Sequence, residues 1–429
     1  MPKRIVHLTP GTGSFYCGTC LRDNALVTAL RKLGHDATLL PLYLPLTLDE
    51  EDASDGMPVF MGGVNVYLQQ KSNLFQKTPR WVDHLLDSPA LLKMAAARAG
   101  MTSPEDLGDV TLSMLRGEEG RQKKEIEKLV EWLKTEAKPD VVCLSNILIV
   151  GLARRLKQEL GVPVICSLQG EDSFLDSLSE PYRTQAWATT AERALDCDAF
   201  IAPSRYFGNL MQERLGFPVE RLHVMHNGIA LNGYGAAARP PDPPVLGYLA
   251  RQCKVKGLET LVEAYILLKT KDRIKNLRLS VAGTKTAADE PFVNDLRGRL
   301  EKHGLLEPGT FLEPLARNKK IEFLQTLSVL SVPATYGESF GLYVIEAMAC
   351  GVPVAQPRHA AFPELIEATG GGVLCEPDDP QALADAIESL LNDPHEARRM
   401  GERGRQAVLR EFSAERMAQN FSHVVESLG

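Results

Sequence analysis

Two glutamates, Glu338 and Glu346, are separated by seven residues in a segment that predicts a short helix. The helix is expected to start at about residues 340–342 and to end before Gly351, because glycine commonly terminates helices. Amide groups at a helix start have no partner within the helix, and Gly341 permits close approach of a ligand. The segment therefore predicts a seat for an anion such as phosphate, with Glu338 facing the same cavity.

Glu346 has apolar neighbours on almost every side of this predicted helix, which is typical of a buried helix. A carboxylate in that position is costly unless hydrogen-bond donors reach it. The paired hydroxyls of a ribose would serve. A structural arginine, or a position at the surface, would also explain the residue, and the sequence leaves these alternatives open.

The elements that must position these residues follow an alternating pattern. Short runs rich in β-branched residues alternate with helical patterns before residue 228 and again after residue 245. Such alternation predicts parallel strands joined by right-handed crossovers, with helices on both faces, and hence an α/β fold with two sheets. Residues 229–244, rich in Gly, Ala and Pro, interrupt the pattern and predict a linker. Residues 45–120 fit it less well and are interpreted as an insertion, with a possible hairpin at 58–69 and a helix near 82–99.

Composition excludes several classes of protein. The chain has 429 residues and a net charge of −7, which argues against a general nucleic-acid surface. No apolar run approaches the roughly 18 residues of a membrane-spanning helix, and the N-terminal run is too short for a signal peptide. We therefore expect a cytoplasmic protein, with peripheral membrane contact left open. The spacing of Cys17 and Cys20 suits a redox or zinc site, but without a second pair nearby we expect a reduced pair and no metal.

The segment from Glu338 to Glu346 resembles the donor-site signature of the retaining family 4 glycosyltransferases of the GT-B fold. The resemblance implies two Rossmann-like domains with parallel sheets facing an interdomain cleft. It also implies a retaining, metal-independent transfer of a hexosyl group from a nucleotide-diphosphate sugar to a hydroxyl acceptor, with no further cofactor. By the same resemblance Glu338 contacts the donor sugar and Glu346 the ribose. The residues whose backbone is expected to hold the diphosphate are Ser339, Phe340, Gly341 and Leu342.

Two further segments look like donor-site elements of this family. Arg251 follows a predicted strand and precedes Lys256-Gly257 by five residues, as the family's strand-end arginine does. A planar guanidinium and a point-charged ammonium suit a diphosphate leaving group, whereas the alternative is a solvated basic loop. With Glu338, these two residues are the catalytic candidates. The glycine-containing loop before Gly18 and Thr19 resembles the family loop that faces the donor phosphate, and both residues are expected at a helix start.

The N-terminal half departs from the family at one position. Gln169 stands at a strand end where many relatives carry His-Gly-x-Asp. An amide can orient an acceptor hydroxyl but cannot take its proton. In the mechanism proposed for the family the departing phosphate oxygen takes that proton, so activity need not be lost. Glu171 and Asp172 are then the acceptor-side candidates, with helix capping as the alternative.

The resemblance implies an acceptor domain at 1–228, a linker at 229–244, a donor domain at 245–412, and a helix at 413–429 that returns toward the first domain. Two other functions stay open: a nucleotide-sugar epimerase of the same fold and a non-catalytic sugar-nucleotide binding protein. The sequence identifies neither the base and sugar of the donor, nor the acceptor, the linkage or the oligomeric state. A proline-flanked run at residues 41–45 faintly resembles glycogen and starch synthases, so glucose donors are to be tested first.

Overall fold

The structure is a computed structural model that describes residues 1–11, 18–48, 50–61 and 104–429. The loop at 12–17, most of the predicted hairpin at 58–69 and the predicted helix at 82–99 lie outside the described residues. The chain divides into two compact units. The first comprises Met1–Gly228 together with Ala414–Gly429, and the second comprises Ile229–Ser413.

The first unit contains a parallel sheet with the strand order β2-β1-β3-β4-β5-β6. Its strands are β1 (Arg4–Thr9), β2 (Asp36–Pro41), β3 (Val141–Leu144), β4 (Val164–Ser167), β5 (Ala199–Ala202) and β6 (Leu222–Val224). Every residue of β3, β4 and β5 is buried, as expected for parallel strands covered by helices on both faces.

The helices of the first unit include α15, which comes from the C-terminal end of the chain and packs against α1. Within the described residues they are α1 (Gly18–Lys32), α2 (Pro104–Leu115), α3 (Lys123–Trp132), α4 (Ala153–Leu160), α5 (Asp172–Ser177), α6 (Tyr182–Ala194), α7 (Arg205–Leu215) and α15 (Ala414–Ser427). The packing between α1 and α15 is apolar: Leu26 and Leu30 share a buried cluster with Phe421 and Val425.

A buried polar network attaches α1 to the carboxyl ends of β1 and β3. His7 Nε2 lies 3.0 Å from Asp23 Oδ1, and an Arg22 guanidinium nitrogen lies 2.9 Å from the same oxygen. Ser145 donates to Asp23 Oδ2 at 2.6 Å, while Arg22 also donates to the Ser145 carbonyl. All of these side chains are buried, and charges in such a place require this pairing. The network therefore holds the first turns of α1 in place.

The second unit contains a parallel sheet with the order β12-β11-β10-β7-β8-β9. Its strands are β7 (Val245–Leu249), β8 (Arg278–Ala282), β9 (Phe311–Leu312), β10 (Val329–Leu330), β11 (Val354–Pro357) and β12 (Gly372–Cys375). Counted from β7, this is the 3-2-1-4-5-6 strand order of a Rossmann sheet. All strands are parallel, but the order in which they are added to the sheet reverses between β7 and β10. Ligands in such sheets bind beyond the carboxyl ends of the strands at that reversal.

Helices flank this second sheet. They are α8 (Leu258–Lys271), α9 (Glu290–Lys302), α10 (Arg317–Gln325), α11 (Leu342–Ala349), α12 (Phe362–Thr369), α13 (Pro380–Asn392) and α14 (Pro394–Glu411). The residues interpreted as a linker, 229–244, are part of this unit. Tyr234 is buried in its core, and Arg317 donates to the carbonyls of Ala230 and Asn232.

The segment that follows β3 begins as a 3₁₀ turn before it becomes an α-helix. Ile147–Leu152 forms a 3₁₀ turn, with Asn146 as its cap, and the α-helix begins only at Ala153. Gly151 lies so close to α2 that an added Cβ would stand 2.2 Å from the Met114 carbonyl oxygen. This contact joins residues distant in the sequence, so the local pattern could not indicate it.

Candidate active site

Most of the predicted donor residues lie on the two loops that follow β7 and β10, the strands on either side of the point where the strand order of the second sheet reverses. Arg251 and Lys256 follow β7, whereas Glu338 and Gly341 follow β10. This is the place where a Rossmann sheet binds its ligand. The fold thus brings residues more than 80 positions apart to one edge of one sheet.

Gly257 allows these two loops to touch. Its φ of +71° is a left-handed conformation, and an added Cβ would lie 1.8 Å from the Pro333 carbonyl oxygen. Beside it, the Thr335 amide donates to the Val255 carbonyl at 3.0 Å. A side chain at position 257 would force the loops apart, so the glycine is required both for its conformation and for its lack of volume.

Lys256 and Glu338 form an ion pair with 2.6 Å between Nζ and Oε2. Glu338 is only 7% exposed. Tyr343 donates to the same carboxylate oxygen at 2.8 Å, and Lys256 donates to the Tyr336 hydroxyl at 2.5 Å. Burial by itself would raise the pKa of Glu338, but the charge of Lys256 and the bonds from Lys256 and both tyrosines outweigh it and lower that pKa. The glutamate is therefore ionised at neutral pH.

Arg251 has a different partner. Its guanidinium makes two hydrogen bonds to the Asp289 carboxylate, at 3.0 and 3.2 Å, and one to the Thr286 hydroxyl. The side chain is 49% exposed, so an incoming anion can reach it. The buried Tyr248 hydroxyl donates to the Arg251 carbonyl at 2.8 Å and fixes the backbone from which the arginine extends.

Glu346 lies on α11, which is buried as its apolar neighbours predicted. Its Oε1 accepts a hydrogen bond from Tyr234 at 2.9 Å and lies 2.7 Å from Lys320 Nζ. The side chains of Glu346 and Lys320 are each 13% exposed. A structural ion pair, one of the alternatives drawn from the sequence, is therefore present, with a lysine in place of the arginine. Both contacts reach Oε1, so they also fix the direction in which Oε2 points.

The predicted helix start is where the sequence placed it. Gly341 has a φ of +93°, and α11 begins at the next residue, Leu342. Phe340 is 2% exposed, with its ring centroid 6.2 Å from that of Phe412, and Ser339 is also buried. The Phe340 ring is thus part of the core.

The acceptor candidates lie in the first unit, at the carboxyl end of β4. Glu171 accepts three backbone hydrogen bonds, from the amides of Ile147 at 3.1 Å, Gln169 at 2.7 Å and Gly170 at 2.9 Å. Burial raises the pKa of this carboxyl to about 7, although the amide bonds act in the opposite direction. The carboxylate thus anchors the loop, and its contact with an acceptor stays a prediction.

The same loop orients Gln169. Asn227 Nδ2 donates to Gln169 Oε1 at 3.1 Å, and this bond fixes the orientation of the Gln169 amide. Asp172 begins α5 and is 8% exposed, and burial raises its pKa. Gly18 and Thr19 are the first residues of α1, the predicted position, but the loop before them lies outside the described residues.

Comparisons with known proteins match family profiles to segments of both units of the chain. The family profile described as "Glycosyltransferase Family 4" matches residues 104–232, and that described as "Glycosyl transferases group 1" matches residues 235–407. The protein is a GT-B glycosyltransferase of the family 4 kind. The glycogen synthase of Mycobacterium tuberculosis is 27% identical over 285 residues, which are 66% of this chain and 67% of that protein.

Solved structures have the same fold as this glycosyltransferase. Sucrose-phosphate synthase from Thermosynechococcus elongatus gives a TM-score of 0.71 at 19% identity, covering 99% of this chain and 98% of that one. HepE from Anabaena, solved in complex with UDP, gives 0.68 at 17% identity over 99% of this chain and all of that one. HepE has also been solved with UDP-glucose.

None of the helices described in residues 1–11, 18–48, 50–61 and 104–429 is long and apolar enough to cross a membrane.

Among the described residues, sequence reasoning missed several side chains that contact the predicted donor groups of this glycosyltransferase: Tyr234, Thr286, Asp289, Lys320, Tyr336 and Tyr343. Tyr343 gave a local signal, since it lies in the first turn of the predicted helix, directly after the anion seat. The others carry no such signal. Asp289 and Lys320 are 38 and 26 residues from their partners Arg251 and Glu346, and only the fold joins them.

Proposed function

We propose that this glycosyltransferase is a retaining, metal-independent hexosyltransferase, which moves a sugar from a nucleoside-diphosphate donor to a hydroxyl acceptor. The observation that carries the proposal is the Lys256–Glu338 pair beside the start of α11, at the carboxyl edge of the second sheet. An ammonium, an ionised carboxylate and a helix start together suit a ligand that has both a phosphate and sugar hydroxyls. The family match favours transfer over the epimerase and binding-protein alternatives.

On the donor side, Glu338 accepts hydrogen bonds from the sugar hydroxyls. Its Oε2 is bonded to Lys256 and Tyr343, and in this proposal Oε1 is the oxygen that accepts from the sugar. Glu346 accepts from the ribose hydroxyls through Oε2, because Tyr234 and Lys320 occupy Oε1. The backbone around Gly341 holds the diphosphate.

Arg251 and Lys256 stabilise the leaving diphosphate. Negative charge grows on the bridging oxygen as the glycosidic bond breaks, so fixed cations stabilise the transition state more than the bound donor. In this proposal the two side chains and the helix amides take the place that a divalent cation has in other transferases. Arg251 reaches the donor by exchanging Asp289 for the diphosphate.

On the acceptor side, the Gln169 amide orients the attacking hydroxyl and Asp172 accepts its hydrogen bond. Gln169 cannot take the proton, because an amide has no basic atom in this pH range. The departing phosphate oxygen takes it instead. Glu171 acts on the acceptor by holding the Gln169–Gly170 backbone in place.

The donor screen should begin with glucose. HepE, which has the same fold, was solved with UDP and with UDP-glucose, and the similar protein of Mycobacterium tuberculosis is a glycogen synthase, so UDP-glucose and ADP-glucose are the first candidates. Thermal shift across UDP-, GDP- and ADP-sugars identifies the donor, since a ligand at 100 times its dissociation constant stabilises a protein by about 2.7 kcal/mol. Candidate acceptors are then added to that donor.

The deciding experiment is product analysis with the selected donor and acceptor. We expect NMR to show the donor's anomeric configuration in the product, with turnover unchanged by a chelator. Glu338→Gln is the matched control, because it keeps the shape of the side chain and removes its charge. An inverted product would contradict retention, and activity lost in the chelator but restored by magnesium would contradict metal independence. Conversion of the donor without an acceptor would favour the epimerase.

A further inference from the structure

The two tyrosines beside the Lys256–Glu338 pair have no role in the mechanism proposed above. Lys256 Nζ lies 4.8 Å from the centroid of the Tyr336 ring and 5.5 Å from that of Tyr343. Both distances are within the range of a cation–π contact. The ammonium thus lies beside two tyrosine rings and one carboxylate, and the Lys256 side chain is only 21% exposed.

The hydroxyls of the same two rings complete this arrangement. Tyr336 accepts from Lys256, while Tyr343 donates to Glu338 Oε2. An ammonium has three N–H groups. Because two of those on Lys256 are used by Tyr336 and Glu338, one is left. On Glu338, Oε2 accepts from both Lys256 and Tyr343, and the Tyr336 hydroxyl also bonds to this carboxylate, so the two tyrosines and the lysine together fix its orientation.

We propose that Tyr336 and Tyr343 are positioning residues of the donor site, which direct one N–H of Lys256 at the diphosphate and one oxygen of Glu338 at the donor sugar. The inference rests on the proposed function. A lysine and a glutamate without these partners would pair with each other in several geometries, since both side chains are long and flexible. The tyrosines restrict them to one, and preorganised groups of this kind need no rearrangement as the glycosidic bond breaks.

The contacts of Tyr343 predict which ligand its hydroxyl affects. Tyr343 bonds to the carboxylate that faces the sugar, so its hydroxyl should matter for the nucleotide sugar and not for the free nucleoside diphosphate. It also stabilises the ionised form of Glu338, so its loss should raise the pKa of that carboxyl. Tyr343→Phe keeps the ring over Lys256 and removes only the hydroxyl.

The chain offers a matched control in Tyr265. Its hydroxyl donates to the Leu277 carbonyl at 3.1 Å, and the residue is 1% exposed in the core of the same unit. Tyr265→Phe therefore removes one buried tyrosine hydrogen bond that does not involve the Lys256–Glu338 pair. A general loss of packing would affect both variants, whereas a positioning role would affect only Tyr343→Phe.

The experiment measures kcat and KM with the nucleotide sugar selected in the donor screen, and the Kd of its free nucleoside diphosphate by calorimetry. For Tyr343→Phe we expect kcat/KM to fall about tenfold or more, as for loss of a hydrogen bond to a charged group. The Kd of the nucleoside diphosphate should change less than twofold, and the acid limb of the kcat/KM profile should move to higher pH. Tyr265→Phe should leave all three unchanged.

Equal kinetics and equal pH profiles for Tyr343→Phe and Tyr265→Phe would overturn the inference while leaving the proposed function intact. A wild-type protein that transfers sugar from none of the nucleotide sugars would overturn both. Should Tyr343→Phe fail to fold, Tyr336→Phe decides the question, because it removes the hydroxyl on the ammonium side. For that variant we expect the same fall in kcat/KM, and unchanged turnover would refute the inference.

Discussion

Replacing Lys256 and Arg251 by alanine, one at a time, should lower turnover in both variants but lower stability mainly in one of them. Both residues are proposed to stabilise the leaving diphosphate, so both variants should lose turnover. The loss of one preorganised donor costs about 2.7–4 kcal/mol of transition-state stabilisation, or roughly a hundred- to a thousandfold in kcat. The two variants should differ in stability, because the partners that the residues leave behind are different.

Lys256→Ala leaves the Glu338 carboxylate, 7% exposed, without its cation. Removing one partner of a buried ion pair typically costs about 3–5 kcal/mol, since an uncompensated charge remains. Lys256 itself is partly exposed and the tyrosine hydroxyls persist, so we expect the lower end, about 3 kcal/mol. Arg251→Ala removes an arginine whose side chain is 49% exposed, and Asp289, 11% exposed, keeps its two hydrogen bonds from Thr286, so we expect a smaller cost of about 0–1 kcal/mol.

The assay is urea unfolding followed by far-UV circular dichroism, with turnover measured on the same preparations. The three tryptophans, at positions 81, 132 and 187, all precede the second unit, so their fluorescence in the same titration reports the first unit separately. The matched control is the double variant Lys256→Ala, Glu338→Gln, which removes both charges. It should recover most of the lost stability but no activity.

Two outcomes would refute this reasoning. A Lys256→Ala protein as stable as Arg251→Ala would show that Glu338 is not held as a buried anion by that lysine. A folded variant lacking both cations with near wild-type turnover would remove the central support for the donor site, because solvated loop charges are the remaining interpretation.

Two other sites yield predictions. Gly257→Ala should lower stability, measured by thermal unfolding, and donor affinity, measured by calorimetry, more than Gly304→Ala does. Both glycines have positive φ, but only a Cβ at position 257 would clash, with the Pro333 carbonyl. Equal effects of the two substitutions would contradict the close contact. Asp172→Asn and Glu171→Gln should raise the acceptor's KM while leaving donor affinity unchanged, and a large fall in donor affinity would count against both assignments. The pKa of Glu171, raised by burial from 4.5 to about 7, favours its neutral form. The contribution of neutral Glu171 to the free energy of unfolding is therefore fully present below about pH 4.5 and is lost as the pH rises toward 7. Between these pH values the free energy of unfolding of the wild type should fall by about 3 kcal/mol relative to that of Glu171→Gln, as measured by urea unfolding at several pH values. Parallel pH profiles of the two proteins would contradict this.

The sequence alone predicted the elements of the site because their signals are local. The alternation of strand and helix patterns indicated two α/β sheets, and the structure confirmed two parallel six-stranded sheets. The glycine at 341 and the apolar stretch after it predicted the start and burial of α11. The spacing of Glu338 and Glu346 indicated the family, which the comparisons confirmed.

Only the tertiary structure decided what those residues contact. Sequence reasoning offered a ribose or a structural partner for Glu346, and the fold supplies Lys320 and Tyr234 from two separate segments. It likewise pairs Lys256 with Glu338 across 82 residues. Side-chain partners of this kind depend on which strands lie side by side and on how closely their loops approach. That information resides in the order of the strands in the sheet, whereas periodicity and spacing report only on neighbours along the chain.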